Sequence, residues 1–222
     1  MTNDIITPTD TASSPATGVD PRPAFATAVA IGRQVLAGVR PDQLGDPTPC
    51  TAYDVRTLAG HLVAVLQRVA VVGGGGDPFT SPEFVTGVAD DGWVAAYDRF
   101  AAEIERVWSD DAVLGRLCTL PWAQLPGFVT LSIYVNEVTV HTWDLATATG
   151  QRPAWDEAVL ELAFAAMQQG LPAEGRKESF AAAKAHIPDE HRTEGDPFDE
   201  AVAVTDGAPL IDRLVAWNGR RP

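Results

Sequence analysis

Apolar residues recur at three- and four-residue steps along most of this chain, and this periodicity constrains the fold more than any other feature. Strand-like alternation of apolar and polar residues is scarce. The helical pattern occupies six segments, at about residues 24–39, 54–72, 90–108, 128–148, 154–170 and 209–217. The sequence therefore predicts a mostly all-α fold, with four long helices and a short C-terminal extension of two more.

Local signals mark several of the helix ends. The second segment follows Asp54 and the third follows Asp90 and Asp91, and acidic side chains favour helix starts. Gly150 follows the fourth segment, where glycine commonly ends a helix. Between the third and fourth segments the sequence LCTLPW suggests a short extended piece, whereas the charged region before the last segment predicts no definite element.

The chain divides into a tail and two helical parts. Residues 1–23 are rich in Thr, Ser, Pro and Asp and have too little apolar surface to offset their ordering entropy. We therefore expect a disordered tail there, without the character of a secretory signal. Residues 24–152 are expected to form a helical bundle, and residues 153–222 a helical extension packed on it.

Charge and cysteine content exclude several classes of protein. Sixteen Lys and Arg against thirty Asp and Glu give a net charge of −14, which disfavours nucleic acid and anionic membranes as partners. No apolar run reaches the roughly 20 residues of a membrane span. Cys50 and Cys118 are too few for a disulfide scaffold, so we expect a cytoplasmic protein with two buried free thiols. Cys50 precedes a helix, where either a lowered thiol pKa or simple packing would account for it.

His61 lies within the apolar stripe of the second helix. It comes three residues after Leu58 and four before Val65, so its side chain should point inward. An inward imidazole needs partners for two ring nitrogens, and a core of Leu and Val offers few.

Glu137 and His141 are four residues apart in the fourth helix and should share one face, with Tyr134 one turn earlier and Asp144 one turn later. One divalent cation, held by His61, Glu137 and His141, would satisfy the imidazoles and neutralise the carboxylate. Two His and one carboxylate leave a position for an exchangeable ligand, as catalytic sites do. The alternatives are a solvated Glu–His pair and a core histidine with ordinary hydrogen bonds.

Three stretches of this sequence resemble a known family. They are TPCTAYDVRTLAGHLV (48–63), YVNEVTVHTWDLATATGQ (134–151) and the closing DGAPLIDRLVAWNGRRP (206–222). The chain resembles the DinB-like bundle proteins of actinobacterial type, typified by the metal-binding domain of mycothiol-dependent maleylpyruvate isomerase. The resemblance implies an up-down-down-up four-helix bundle with one ion, usually zinc, near one end of its core.

By the same resemblance, His61, Glu137 and His141 take the places of the family's three metal ligands. Related enzymes bind a low-molecular-weight thiol at the ion, which implies a transferase or isomerase that uses mycothiol, or a similar thiol, and an electrophilic substrate. A non-catalytic metal-binding or regulatory module is the alternative, and a bundle that has lost its ion is a third.

Other polar residues have two interpretations each. Asp144 either orients the His141 ring or bonds backbone and solvent, and the Tyr134 hydroxyl either points at the metal cavity or bonds a neighbouring helix. The terminal arginines, Arg220 and Arg221, either hold a substrate carboxylate or are solvated. Two further histidines, His186 and His191, are expected at the surface.

Overall fold

The computed structural model describes residues 19–185, 187–192, 196 and 198–222, so most of the expected tail and His186 lie outside it. The described chain is mostly helical, as the periodicity predicts. It contains eight α-helices: α1 (Arg22–Ala37), α2 (Val55–Gly73), α3 (Trp93–Trp108), α4 (Ala112–Gly115), α5 (Gly127–Thr149), α6 (Glu157–Gly170), α7 (Arg176–Lys184) and α8 (Leu210–Trp217).

Two of the predicted helix-end signals act as expected, and one does not. The Asp54 carboxylate accepts a hydrogen bond from the Thr57 amide at 2.7 Å and caps α2. Gly150 ends α5 in the left-handed conformation, with a φ of 71°. The expected start at Asp90 and Asp91 is wrong, because α3 begins at Trp93. The Asp90 carboxylate instead accepts a hydrogen bond from Arg56 at 2.7 Å, and Gly92 precedes α3 without a side-chain cap.

The extended piece predicted at LCTLPW is present as half of a small hairpin. Strand β1 (Leu117–Thr119) pairs antiparallel with β2 (Gln124–Pro126), so that Leu117 faces Pro126 across the pair. The hairpin leads directly into the first residue of α5.

Helix α7 lies in the charged region for which the sequence predicts no element. Its N-terminal residue Arg176 is fully buried, donates from Nε to the Pro172 carbonyl at 2.6 Å and also donates to the Asp199 carbonyl. The helix is thus anchored by a buried guanidinium and not by an apolar stripe. Periodicity in the sequence cannot reveal an anchor of this kind.

Helices α2 and α5 form the centre of the core. Helix α2 packs against α3 and α5, while α1 packs against α3, α5 and α6, and α8 packs against α6 and α5. The apolar core therefore continues from the first helices into residues 153–222. Among the described residues α2 alone is long and apolar enough to cross a membrane, but 72% of that window is buried inside the fold, as expected for a core helix.

At Gly32 of α1, side chains of α3 and α5 approach the helix backbone closely. A Cβ atom there would lie 2.6 Å from the Tyr97 hydroxyl and 2.9 Å from Oγ1 of Thr142. We predict that Gly32→Ala lowers the free energy of unfolding by about 1–3 kcal/mol through overpacking, although alanine favours helices. Chemical denaturation measures this change.

A matched variant and a rescue test the cause of that loss. Gly170→Ala adds the same methyl group at the end of α6, where nothing lies within 4 Å, so its stability should be unchanged or slightly higher. Tyr97→Phe removes the nearest atom and should restore part of the stability when combined with Gly32→Ala. Equal losses at both glycines would contradict the packing argument.

Candidate metal centre

His61 points into the core from α2, with 7% of its surface exposed. Its Nδ1 lies 2.8 Å from the Glu83 carbonyl oxygen, in the loop between α2 and α3. The Tyr53 ring lies beside it at 5.2 Å between centroids. Because a carbonyl only accepts hydrogen bonds, Nδ1 must carry the proton, and the neutral ring presents its Nε2 lone pair on the opposite side.

Glu137 and His141 occupy one face of α5, as their spacing predicts, and His61 meets them from α2. Oε1 of Glu137 lies 3.3 Å from Nε2 of His61 and 3.5 Å from Nε2 of His141. The two imidazole rings are nearly perpendicular, with centroids 4.8 Å apart. One donor atom from each of the three residues lies within 4.8 Å of the other two. The three predicted ligands therefore converge on one point in the core.

Asp144 contacts the His141 ring, which is the geometry that one of its two sequence interpretations requires. Oδ2 of Asp144 lies 3.1 Å from Nδ1 of His141, and the Asp144 side chain is fully buried. An ionised carboxylate accepts hydrogen bonds, so it holds the proton on Nδ1 and leaves Nε2 for another ligand. Both imidazoles thus use Nδ1 for a structural hydrogen bond and aim Nε2 at Glu137.

The charges of the three residues are set by their mutual contacts. Burial lowers the pKa of His61, so this ring is neutral at neutral pH. Burial also opposes the charges of Glu137 and His141, but their hydrogen bonds outweigh it. The contact with the protonated His141 holds the pKa of Glu137 well below its usual value, and Asp144 and Glu137 raise the pKa of His141 to about 9. Without an ion, a proton on His141 balances the nearby carboxylates.

Arg220 is buried against the other side of Asp144. Its Nε and Nη2 donate to the two carboxylate oxygens at 3.1 and 3.0 Å, and only 7% of the residue is exposed. The expectation that both terminal arginines are solvated or free for a substrate is therefore wrong for Arg220 and holds for the exposed Arg221.

Comparison with known proteins assigns the fold to a family. The profile of the mycothiol maleylpyruvate isomerase N-terminal domain matches residues 25–146. The chain belongs to this family. Two uncharacterized proteins of Mycobacterium tuberculosis, from strains CDC 1551 / Oshkosh and ATCC 25618 / H37Rv, are each 32% identical to it over 186 residues, covering 84% of this chain and 90% of the relative. No solved structure matches.

The matched family domain contains the three predicted ligands and Asp144, whereas Arg220 lies beyond it. It also contains Tyr134, which is buried and whose hydroxyl has no hydrogen-bond partner among the described residues. Burial raises the pKa of this phenol, so it keeps its proton. The Arg68 guanidinium of the neighbouring helix α2 acts against this rise in pKa, so it lies near the Tyr134 hydroxyl.

Cys50 is closer to the centre than sequence reasoning anticipated. Its Sγ and donor atoms of His141 and Asp144 lie within 4.8 Å of one another. The interpretation with a lowered thiol pKa is wrong, because burial raises the pKa of Cys50 to about 11. Both cysteines are free, and Cys118 is buried while Cys50 is only half-buried. No spacing rule links Cys50 to α5, so the sequence carried no signal for this contact.

The remaining candidate, His191, is not among the donor residues that converge at the centre. It is exposed, as expected, and stacks on Phe79 with 4.4 Å between ring centroids.

Proposed function

We propose that His61, Glu137 and His141 hold one divalent metal ion, and that the protein uses it to activate a low-molecular-weight thiol. One observation carries the proposal. Two imidazole Nε2 atoms, each with its Nδ1 committed to a hydrogen bond, face the same carboxylate oxygen at 3.3 and 3.5 Å. Three acceptors so arranged repel one another unless a cation or a proton lies between them.

Zinc fits this donor set better than magnesium or calcium does. Nitrogen donors with one carboxylate suit zinc, while magnesium and calcium prefer oxygen donors throughout. Structural zinc sites have four protein ligands, frequently cysteines, whereas catalytic sites have three and an exchangeable position. The nearby Cys50 lies with His141 and Asp144 rather than with the full set of three, so it is not counted as a fourth ligand.

We also propose the up-down-down-up arrangement for the four longest helices of residues 24–152, on the basis of contacts near the helix ends. Trp108 near the end of α3 donates to the carbonyl of Val69 near the end of α2, which fits parallel α2 and α3. Arg22 at the start of α1 donates to the Trp108 carbonyl, which fits antiparallel α1 and α3. Gln151, just after α5, donates to Val35 near the end of α1, which fits parallel α1 and α5.

A thiol is the proposed co-substrate because this is a domain family named for a mycothiol-dependent isomerase. Bound zinc lowers the pKa of a coordinated thiol, so the sulfur is a nucleophilic thiolate at neutral pH. A substrate could reach the proposed ion beside Glu137, because 21% of the Glu137 side chain is exposed. The Tyr53 ring lies beside His61, and the ring of the exposed Phe84 packs against Tyr53. These apolar rings suit an electrophile with an apolar part.

A metal-holding module without turnover is the second candidate, and burial of the site favours it. The side chains of His61 and His141 are only 9% and 5% exposed. Two cavities in the described part of the chain, of about 370 and 400 Å³, are lined by other residues. The cytoplasm, where free thiols persist, is the proposed compartment for either candidate.

Thiolate absorbance in the ultraviolet distinguishes these two functions. At pH 6.5 a free thiol with a pKa of about 8.5 is only about 1% ionised. We predict that N-acetylcysteine added to the zinc-loaded protein gives a stoichiometric thiolate band, because zinc favours the ionised sulfur. The same titration of His61→Ala should give no band.

His191→Ala is the matched control, because it removes an exposed histidine and should behave as the wild-type chain. Zinc binding without any thiolate band would favour the non-catalytic module. Identical spectra for the wild-type chain and His61→Ala would contradict the thiol proposal.

A further inference from the structure

The last residues of the chain are built into the surroundings of the proposed ion. We call residues 218–220 the C-terminal hook, which follows α8 directly. Asn218 is fully buried and exchanges two amide hydrogen bonds with Asn136 of α5, at 2.9 and 3.1 Å. Asn136 immediately precedes the proposed ligand Glu137. The hook is therefore attached to the same turn of α5 that supplies the carboxylate.

Backbone geometry fixes the direction of the hook. Gly219 has a φ of 81°, which side-chain-bearing residues rarely adopt, and a Cβ atom there would lie 2.7 Å from Cβ of Asp199. The Arg220 amide donates to the Val215 carbonyl at 2.9 Å and closes the turn. These contacts direct the Arg220 side chain back toward α5.

The Arg220 guanidinium donates hydrogen bonds to groups inside the protein. Nε and Nη2 donate to Asp144, and Nη1 donates to the Asn218 carbonyl at 3.1 Å. Asp144 in turn accepts from Nδ1 of His141. A buried, two-pronged Arg–carboxylate contact defines the carboxylate plane far better than a single point charge does. The plane of Asp144 then defines the direction of the imidazole.

We propose that Arg220 is a positioning residue of the metal centre, which acts through Asp144 to aim Nε2 of His141 at the ion. This inference rests on the proposed metal site. It also extends that site beyond the matched family domain, because Arg220 lies outside residues 25–146. Ion binding and docking of the hook are then coupled, and the coupling is reciprocal: the ion favours the docked hook as much as the docked hook favours the ion.

Zinc affinity of full-length variants, measured by competition with a chromophoric chelator, tests this role. Arg220→Gln should weaken zinc binding about 10–100-fold, the usual loss when the partner of a metal ligand is removed. Arg220→Lys should lose less, because it keeps the charge but not the two-pronged contact. Arg221→Gln, which removes the exposed neighbouring arginine, should bind as the wild-type chain does.

A double-mutant comparison separates positioning from a general loss of structure. If Arg220 acts through Asp144, Asp144→Asn and the double variant Asp144→Asn, Arg220→Gln should bind zinc equally within about threefold. Independent, multiplied losses would show that Arg220 acts by another route and would overturn the proposal. Thermal melting in chelator shows whether each variant is folded. If a variant with Arg220→Gln does not fold, the same comparison is made with Arg220→Lys.

The outcomes for the two proposals differ. If the wild-type chain and Arg220→Gln bind zinc equally tightly, the positioning role fails while the metal site stands. A wild-type chain that binds no zinc overturns both.

Discussion

Glu137→Gln should weaken zinc binding on the order of a thousandfold, because a neutral amide replaces the only carboxylate of the three proposed ligands. The substitution keeps the size of the side chain. The new amide still has an oxygen and a nitrogen to hydrogen-bond with the two histidines, so the fold should persist. Calorimetric titration of the metal-free protein with zinc measures the loss, and circular dichroism verifies the fold.

Glu103→Gln is the matched control for this variant. Glu103 lies on α3, and its carboxylate pairs with Arg106 three residues later at the surface. Its removal should leave zinc affinity unchanged. A loss below about tenfold for Glu137→Gln, a hundredth of the expected loss in affinity, would show that this carboxylate does not coordinate the ion.

Zinc affinity should also depend steeply on pH. The pKa of His141 in the metal-free protein is about 9, because its contacts with Asp144 and Glu137 outweigh burial. Zinc needs the lone pair of Nε2, so binding below this pH displaces one proton. The dissociation constant should therefore rise about tenfold for each pH unit lost, or about 100-fold from pH 8 to pH 6.

Proton release provides an independent check of the same argument. Calorimetry in buffers of different ionisation enthalpy should count about one proton released per zinc bound at pH 7. His61 contributes none, because burial lowers its pKa and the ring is already neutral. An affinity that is constant between pH 6 and pH 8 would contradict the assignment of His141 as a ligand.

The stability of the metal-free protein should change in the opposite direction. The pKa of His141 is higher in the folded protein than its ordinary value of 6.5. The protonated ring therefore stabilises the fold below about pH 6.5, and this contribution disappears as the pH rises to about 9. The melting temperature in chelator should fall across that interval, whereas added zinc should raise it most at the alkaline end.

The positions of the three proposed ligands were predictable because each follows from a local rule. The inward position of His61 follows from its steps to Leu58 and Val65, and the shared face of Glu137 and His141 follows from their spacing of four. The helices α2 and α5 then bring the two sets together, as the family resemblance implied. Long apolar periodicity made these helices the most predictable part of the fold.

The partners of those ligands were less predictable, because they depend on contacts between distant parts of the chain. The Glu83 carbonyl contacts His61 from a loop, and the position of a backbone carbonyl cannot be predicted from residue type or spacing. Arg220 is separated from Asp144 by 76 positions, and a terminal arginine is ordinarily solvated. Helix α7 was missed for a similar reason, since the buried Arg176 holds it in place. The spacing of Asp144 from His141 predicted their contact, but it did not predict the contact of Asp144 with Arg220.

Anomalous diffraction at the zinc edge, from crystals of the zinc-loaded protein, tests the central claim most directly. The account predicts one peak per chain, at about 2.0–2.2 Å from Nε2 of His61, Nε2 of His141 and a carboxylate oxygen of Glu137. A peak bound by other residues, or no peak between these three side chains, would contradict it.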